Sequence, residues 1–549
     1  MRWVAWLLVS LCAGCVAEPD YTGRACNAQA PCPSGWWCTA ADTCAAGLDP
    51  GDAGEVSVDA GDAGPVAPDT GVIDTGVPDS GPPDSGPADT GPADSGVVLT
   101  AVGVRPEALM LAAGESASLT AEARWSDGSL GDVTEEVTWR VRDGAVARVE
   151  AGGLLVSLSP GTTVIEAELD GVVGTAALAV TAAEVVEAHT WNKHNLVVLT
   201  DGTVWGWGWN ASGQVDESAD EFVTAPRQLP ITDVASVRAG GVHSVAIRRD
   251  GAVWAWGNDS GGQLGRGTIT GDHQALPQPV LPVTGAGDLR DVADVQCGYD
   301  FCLALTTQGR VLAWGANSYG SLGMGDASPR ARPEAVPGLS GIQAIAAGTY
   351  HALALRGDGA VLSWGYNEYG QLGRGQPPTS IDQPGVIPGV GAVVVELDAG
   401  WGHSVLRTID DEVLTLGWAA FGQLGRDTMG LDDLAPAPAD VQGALHISAG
   451  FAFTLVVTAG GVVQAFGSNL AGQLGDGTVG GTRLAPGPVL AAPGGAPFTT
   501  PTGWRAGGDH VLAYTRTQVW TFGSNQSGEL GNGTAGDGLA SGVPTTVTW

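Results

Sequence analysis

The stretch of sequence that decides the fold runs from residue 239 to residue 265 and reads AGGVHSVAIRRDGAVWAWGNDSGGQLG. Apolar residues alternate up to Ile247, the pair Asp250-Gly251 follows, and a second alternating run leads to Trp256. Asp-Gly between two such runs predicts a β-hairpin, because glycine adopts the positive φ that a tight turn needs. The stretch therefore predicts two adjacent antiparallel strands followed by a glycine-rich turn.

This unit recurs through the C-terminal two-thirds of the chain, about 50 to 60 residues apart. The glycine that ends its second strand falls at Gly208, Gly257, Gly315, Gly365, Gly417, Gly467 and Gly523. A proline-containing segment that predicts a further strand follows each copy, at residues 226–229, 277–280, 333–336, 384–387, 438–441, 486–489 and 544–547. Repetition at a fixed period predicts an architecture built from seven equivalent β units.

Three glycine-rich turns carry a family resemblance: residues 261–265 (GGQLG), 369–373 (YGQLG) and 471–475 (AGQLG). They resemble the repeats of the regulator of chromosome condensation family. The resemblance covers residues 184–549 and implies a seven-bladed β-propeller of four-stranded blades. Since no proline-containing strand precedes the first copy, we expect the last one, Pro544 to Trp549, to pair into the first blade and close the ring.

Residues 98–182 have a different character. Alternating stretches such as 117–121 and 163–167 predict strands separated by Gly and Asp turns. The markers at 125–129, 137–139 and 160–163 resemble the group 2 bacterial immunoglobulin-like domain. This resemblance implies a β-sandwich that serves as a surface spacer or adhesion module. The predicted fold class of the chain is therefore all-β.

The N-terminus resembles a bacterial lipoprotein signal. The apolar run from Val4 to Leu11 is too short to span a bilayer and ends in Leu11-Cys12-Ala13-Gly14-Cys15. We expect residues 1–14 to be removed and Cys15 to carry a lipid; cleavage nearby without lipidation is the alternative. Both predict an exported protein of the cell envelope, surface-exposed or periplasmic. Membrane attachment is expected only through the N-terminal anchor.

Two short segments separate the signal from the sandwich. Residues 15–46 contain four evenly spaced cysteines, which predict a small disulfide module in an oxidising compartment. A zinc site is the alternative, although it lacks the usual CxxC pairs. The four are Cys26, Cys32, Cys38 and Cys44. Residues 47–97 consist mainly of Gly, Pro, Ala, Asp, Ser and Thr, which predicts a disordered, extended spacer.

Charge and motifs argue against several functions. With 24 Lys and Arg against 59 Asp and Glu, the net charge is −35, so no nucleic-acid partner is expected. Residues 475–480 and 531–536 fit a dinucleotide fingerprint but precede no predicted helix, so no cofactor is expected. No nucleophile elbow or metal-binding helix is present in the sequence. We therefore predict no catalytic residue and no metal site.

Each copy repeats a histidine, at His194, His243, His351, His403 and His510, which Phe301 and Phe453 replace in the other two. Because phenylalanine cannot bind a metal or move a proton, we expect the histidine to pack within the blade and to hydrogen-bond the backbone. Cys297 and Cys302 replace the Ala and Ser of the repeat. We predict a local disulfide between them, with two buried thiols as the alternative.

The two residues that precede each histidine, here called the turn pair, differ between copies. Equivalent turns should lie on one face of the propeller. Aromatic and acidic residues there favour an interface with another molecule, and ordinary turn variation is the alternative. The predicted binding residues are Trp191, Tyr299, Asp300, Tyr350, Trp401, Phe451 and Asp509.

These observations predict a non-catalytic, surface-displayed lipoprotein that binds an unidentified protein through one propeller face. The alternative is a glycan-binding protein or a carbohydrate-active enzyme on the same scaffold, which would need convergent carboxylates or a metal at one mouth. Guanine nucleotide exchange is implied by the family resemblance alone, and an exported location removes that partner.

Overall fold

The computed structural model describes residues 36–38, 44–46, 97–375 and 380–548. The chain divides into two compact units, residues 1–95 and 96–549. In the first unit β1 (Trp36–Cys38) pairs antiparallel with β2 (Cys44–Ala46), which sets Cys38 opposite Cys44. The predicted signal, Cys15, Cys26, Cys32 and residues 47–96 of the predicted spacer lie outside the described residues.

No helix in the described residues is long and apolar enough to span a membrane.

The second unit begins with a β-sandwich whose strands form three sheets, ordered β3-β6-β7, β4-β12-β11-β8 and β5-β10-β9. Alternating residues such as Ala121, Ala123, Ile165 and Ala167 fill its core, as the period-two pattern predicts. A 3-10 turn covers Ala151–Gly153. The strands are β3 (Leu99–Arg105), β4 (Ala108–Ala112), β5 (Ser116–Ser118), β6 (Thr120–Trp125), β7 (Leu130–Asp132), β8 (Thr138–Val141), β9 (Ala147–Val149), β10 (Leu154–Ser157), β11 (Gly161–Leu169) and β12 (Val172–Thr181).

Seven four-stranded antiparallel sheets follow, one for each copy of the repeat. Asp250-Gly251 forms the predicted hairpin turn, with Gly251 at φ +83°. The all-β class, the sandwich and the seven-bladed propeller are thus confirmed.

The blades consist of these strands in chain order. Blade 1 has β13 (Val185–Trp191), β14 (His194–Leu199), β15 (Val204–Trp209) and β16 (Phe222–Gln228), and blade 2 has β17 (Val234–Ala239), β18 (His243–Arg248), β19 (Val253–Asn258) and β20 (His273–Pro279). Blade 3 has β21 (Val292–Cys297), β22 (Phe301–Thr306), β23 (Val311–Gly315) and β24 (Arg330–Ala335), and blade 4 has β25 (Ile342–Ala347), β26 (His351–Arg356), β27 (Val361–Tyr366) and β28 (Ser380–Val386). Blade 5 has β29 (Val394–Ala399), β30 (His403–Thr408), β31 (Val413–Gly417) and β32 (Asp433–Pro438), and blade 6 has β33 (Ala444–Ala449), β34 (Phe453–Thr458), β35 (Val463–Ser468) and β36 (Thr482–Pro488). Blade 7 has β37 (Gly503–Ala506), β38 (His510–Tyr514), β39 (Val519–Ser524) and β40 (Ala540–Val547).

The expected closure of the ring by the last strand is wrong. β40 pairs with β39 as the fourth strand of blade 7, and blade 1 is complete without it. Each copy supplies its own first strand and its own proline-containing fourth strand, so no strand is left over. Hydrogen bonds join blades 7 and 1 instead. Asn195 Nδ2 and Trp207 Nε1 both donate to the Glu529 carbonyl, each at 2.9 Å, and the Val185 amide donates to the Arg516 carbonyl at 2.6 Å.

The repeated histidine joins neighbouring blades. Its Nε2 reaches a hydroxyl of the next blade, in the pairs His194–Ser244 at 2.9 Å, His351–Ser404 at 3.1 Å and His403–Thr454 at 3.0 Å. The Ser404 hydroxyl donates to the Gln371 carbonyl at 2.8 Å, so His351 is the donor to Ser404. Burial lowers the pKa of His351 to about 3, which keeps the ring neutral. The expected packing of the histidine within the blade is found, but the hydrogen bonds named here go to side chains of the neighbouring blade and not to the backbone.

The two phenylalanines that replace the histidine also contact the next blade, but their partners are apolar. Phe301 packs in one core with Ala352, and Phe453 packs in one core with Val511. Ala352 and Val511 stand where Ser404 stands in the polar junctions. The glycine that precedes the turn pair makes room for the ring, since a Cβ on Gly400 would lie 2.4 Å from His403 Cε1. The repeated positions therefore serve the junctions between blades.

The sandwich contacts the propeller at the hairpin between β14 and β15. Thr200 Oγ1 donates to the Ala113 carbonyl at 2.5 Å, and a Cβ on Gly114 would lie 2.1 Å from the Thr200 carbonyl. Arg516, in the matching hairpin of blade 7, pairs with Glu115 and Glu184. These hairpins join second to third strands, so they lie on the face opposite the turn pairs.

A double substitution tests the junction rule. We expect His351→Phe and Ser404→Ala each to lower the free energy of unfolding by about 1 kcal/mol, because each removes a partner from a buried hydrogen bond. Together they copy the Phe301–Ala352 pair, so the double variant should lose about 1 kcal/mol less than the sum. Denaturant unfolding of the four proteins measures this coupling, and strictly additive losses would contradict the rule.

Candidate functional site: an aromatic face of the propeller

The turn pairs form a closed ring of hydrogen bonds around the propeller axis, with one bond between each blade and the next. The bonds are Asn192 Nδ2 to Gly241 O at 2.8 Å, Gly241 N to Gly298 O at 3.0 Å, Tyr299 N to Thr349 O at 3.1 Å, Thr349 N to Gly400 O at 3.2 Å, Trp401 N to Phe451 O at 3.3 Å, Phe451 N to Gly508 O at 3.1 Å and Gly508 N to Asn192 O at 2.8 Å. Six of the seven join main-chain atoms, so side chains can differ without disturbing the ring.

Two of the predicted binding residues fill the opening at the axis. Trp191, only 8% exposed, stands where the other copies have glycine. Its ring meets Phe451 at a centroid distance of 5.3 Å, although blades 1 and 6 are not neighbours. Tyr299 packs against the same cluster. Trp191 and Phe451 therefore contribute mainly to packing.

Eight rings of blades 3 to 5, here called the aromatic band, follow one another across this face. The rings are half-buried except Tyr319, which is 40% exposed. Successive centroid distances are 5.9 Å for Tyr299–Tyr350, 4.9 Å for Tyr350–Tyr319, 4.9 Å for Tyr319–Tyr366, 6.2 Å for Tyr366–Tyr369, 5.4 Å for Tyr369–Trp401, 4.9 Å for Trp401–Trp418 and 5.0 Å for Trp418–Phe421. The structure thus joins Tyr299, Tyr350 and Trp401, which the sequence predicted, to five further rings.

The five missed rings lie at the end of the third strand or in the loop that follows it, which opens on the same face. They are Tyr319, Tyr366, Tyr369, Trp418 and Phe421. Comparison of the seven copies would have found them: at the two loop positions concerned, five of six residues are aromatic in blades 3 to 5, against one of eight, Trp209, in the other blades. This clustering of aromatic residues was visible in the sequence, but only the fold places these positions next to the turn pairs.

Acidic groups surround the band. Burial is the main cause that raises the pKa of four of its tyrosines, and the charges of Asp300, Glu368 and Asp432 add to it. Burial together with the charge of Asp300 raises the pKa of Tyr350 to about 12, and burial raises the pKa of Asp300 to about 6. A hydrogen bond from its own backbone amide partly offsets the effect of this burial on Asp300, and among the described residues no cation does so.

Asp509 has a different environment at the same position of blade 7. Its Oδ1 accepts a hydrogen bond from Gln473 Nε2 at 3.0 Å, and the charge of Lys193 partly offsets the burial that raises its pKa. Asp509 lies apart from the band, whose rings come from blades 3 to 5. The structure therefore does not bring Asp509 together with Asp300.

Carboxylates also line the first strands of the blades, which contact one another around the axis. Each has a partner there. Arg238 pairs with Glu187 at 2.7 Å and with Asp294 at 2.8 Å, Arg407 pairs with Glu396 at 2.8 Å, and Asp398 accepts the Ala449 amide at 2.9 Å. These groups are committed to ion pairs and hydrogen bonds within the ring.

Cys297 and Cys302 form the predicted disulfide, with an S–S distance of 2.04 Å. His243 Nε2 lies 3.0 Å from Cys302 Sγ, at the position that Ser244, Ser404 and Thr454 occupy in three other junctions. In the described part of the chain, these three residues form the group whose ligand atoms are close enough to hold a metal. Because the two sulfurs are bonded to each other, the group offers no thiolate.

Asp300 provides a stability test. Its folded pKa lies above its unfolded pKa, so between about pH 4 and pH 6 the unfolded chain releases a proton that the fold retains, and stability falls as pH rises. We expect Asp300→Asn to raise the free energy of unfolding by about 2 kcal/mol near pH 7.5 and to have little effect below pH 4. Urea unfolding at both pH values measures this.

The control is Asp358→Asn, which also removes one charge. A hydrogen bond from Arg356 lowers the pKa of Asp358 to about 2, so no stabilisation is expected there. A gain for Asp300→Asn that is equal at both pH values would contradict the assignment.

Comparison with known proteins covers both folded parts of the second unit. An RCC1-like domain matches residues 152–494, and a bacterial Ig-like domain (group 2) matches residues 98–180. The first match begins inside the sandwich. Strand pairing places the start of blade 1 at Val185. The propeller therefore begins at that residue, because the hydrogen bonds of blade 1 begin there.

Curated relatives share the repeats. The Ultraviolet-B receptor UVR8 of Arabidopsis thaliana is 30% identical over 250 residues, which cover 44% of this chain and 55% of that protein. The human probable E3 ubiquitin-protein ligase HERC4 is 40% identical over 162 residues, covering 29% of this chain and 15% of that protein. The chain thus spans about half, or less, of the length of these relatives.

Solved structures share the fold. Human WBSCR16 superposes with a TM-score of 0.54 at 22% identity, covering 66% of this chain and 92% of that one. Prp20p from Saccharomyces cerevisiae gives a TM-score of 0.53 at 21% identity, covering 60% and 82%. At these identities the likeness shows the propeller fold alone.

Proposed function

The chain belongs to the RCC1-like domain family, and we propose that it is a surface-displayed binding protein whose aromatic band contacts another protein. The band carries this proposal. Aromatic residues are enriched at the centres of protein interfaces, where large rings leave water on binding. Here the rings concentrate in three of seven equivalent blades, at positions that the blade junctions do not use.

The position of the sandwich supports the proposal. It contacts the hairpin face through Thr200 and Arg516, so the face with the band is left uncovered by the sandwich. The bacterial Ig-like domain indicates an exported or cell-surface protein. A lipid on Cys15 and the spacer of residues 47–97 would then tether the chain to the envelope.

Binding is favoured over catalysis by the state of the acidic groups. The carboxylates around the axis are held by Arg238, Arg407 and a backbone amide, and a paired carboxylate is a poor general acid or base. Asp300, the acid beside the band, has no cation partner among the described residues and no second carboxylate within its own turn. We propose no exchange activity on a GTPase, because that activity comes from relatives alone.

Capture from cell envelopes of the source organism tests the proposal. Full-length protein should retain a partner that is then identified by mass spectrometry, and Trp401→Ala should weaken its binding by about 30-fold, or about 2 kcal/mol. The matched control is Trp209→Ala, which removes a half-buried ring at the loop position of Trp418, but in blade 1. This control should bind like the wild type.

Thermal unfolding of the same proteins separates binding from folding. Trp256 is fully buried and donates to the Gln214 carbonyl at 2.9 Å, so Trp256→Ala should lose about 3–5 kcal/mol of stability. Trp401→Ala should lose less. Equal retention of the partner by the Trp401 and Trp209 variants would place the interface elsewhere, and capture of a polysaccharide alone would favour a glycan ligand.

A further inference from the structure

One end of the aromatic band differs from the rest because it contains an acid that no cation of the described residues neutralises. Asp300 lies in the turn pair of blade 3, directly after Tyr299. Its carbonyl accepts the Ala316 amide at 2.9 Å, which fixes the turn. The ring of the adjacent Tyr299 lies 5.9 Å from that of Tyr350, centroid to centroid, which places the turn of Asp300 beside both rings. The charge of Asp300 adds to the burial that raises the pKa of both tyrosines. Tyr319, with its centroid 4.9 Å from that of Tyr350, extends the group toward solvent.

We propose that Asp300, Tyr299, Tyr350 and Tyr319 form a receptor for an arginine side chain presented by the protein partner. The inference rests on the proposed function and specifies the chemistry of the partner. A guanidinium can pair with a carboxylate while its plane stacks on aromatic rings. Such a group would supply the charge that Asp300 lacks within this chain.

Charge complementarity supports a cationic occupant. The net charge of the chain is −35, and Glu368 and Asp432 add negative charge further along the band. An apolar or acidic partner would leave Asp300 desolvated and unpaired, which is costly. A basic partner instead turns the unfavourable burial of Asp300 into a favourable ion pair.

The surroundings of Asp300 allow a clean pH readout. The adjoining turn pairs are Gly241-Val242 in blade 2 and Thr349-Tyr350 in blade 4, and the neighbouring loop of blade 3 runs from Ala316 to Tyr319. Burial lowers the pKa of His243 to about 3, and burial raises the pKa of the tyrosines. Asp300 is therefore the group here that titrates near pH 6.

The experiment measures binding of a short peptide of alternating arginine and glycine to the full-length protein by calorimetry, at about physiological ionic strength. The isosteric citrulline peptide has the same shape without the charge. We expect the arginine peptide to bind at least about tenfold more tightly than the citrulline peptide near pH 7.5. The difference should shrink as the pH falls through about 6, where Asp300 becomes protonated.

Asp300→Asn should reduce arginine-peptide binding to the citrulline level and remove the pH dependence. Asp509→Asn is the matched control: it removes the same charge from the same turn position in blade 7, where Gln473 already bonds the carboxylate. Asp509→Asn should bind like the wild type. Equal losses for the two variants would mean diffuse attraction to an acidic protein and would overturn the receptor.

The two proposals fail separately. If Trp401→Ala loses the captured partner while Asp300→Asn leaves the arginine peptide bound, the band is an interface and the receptor is wrong. If arginine-peptide binding depends on Asp300 but Trp401→Ala retains the captured partner, the receptor is supported and the proposed interface is wrong.

Discussion

Hydrogen bonding between neighbouring blades is the constraint on which the rest of this propeller depends. Each blade is made from one continuous segment, so no strand crosses from the last blade to the first. The ring must therefore close at its junctions. Histidine-to-hydroxyl pairs such as His351–Ser404 and the hydrogen-bonded turns around the axis provide that closure. Buried polar groups need such partners, because an unpaired one costs about 1–3 kcal/mol.

The junctions also determine which residues can carry function. Histidine and its hydroxyl partner are coupled, so they change together, as in the Phe301–Ala352 and Phe453–Val511 junctions. The turn-pair side chains can vary independently, because main-chain atoms make almost all of the hydrogen bonds in the axial ring. A sevenfold scaffold can thereby hold an asymmetric set of rings. Blades 3 to 5 carry the aromatic band without any change in the blade itself.

The two faces of the propeller have separate tasks. The hairpin face receives the sandwich through Thr200, Gly114 and Arg516, whereas the turn face carries the band. Asp300 shows what such a surface costs, since an acid held among rings lowers the stability of the free protein above its pKa. Function at the expense of stability is a common property of binding surfaces. The acidic composition of the chain is consistent with a face that receives positive charge.

The sequence by itself determined the repeat number, the strands and the turns, because alternation, Asp-Gly pairs and glycine-rich turns are local signals. It also predicted that the histidine is structural and that Cys297 and Cys302 are paired, since seven copies provide their own comparison, and the structure shows that disulfide. Only the tertiary structure decided how the ring closes, that Trp191 and Phe451 meet across the axis, and that Tyr319, Tyr366, Tyr369, Trp418 and Phe421 join the turn-pair rings. These are contacts between segments distant along the chain, and local sequence patterns do not specify which distant loops meet on one face.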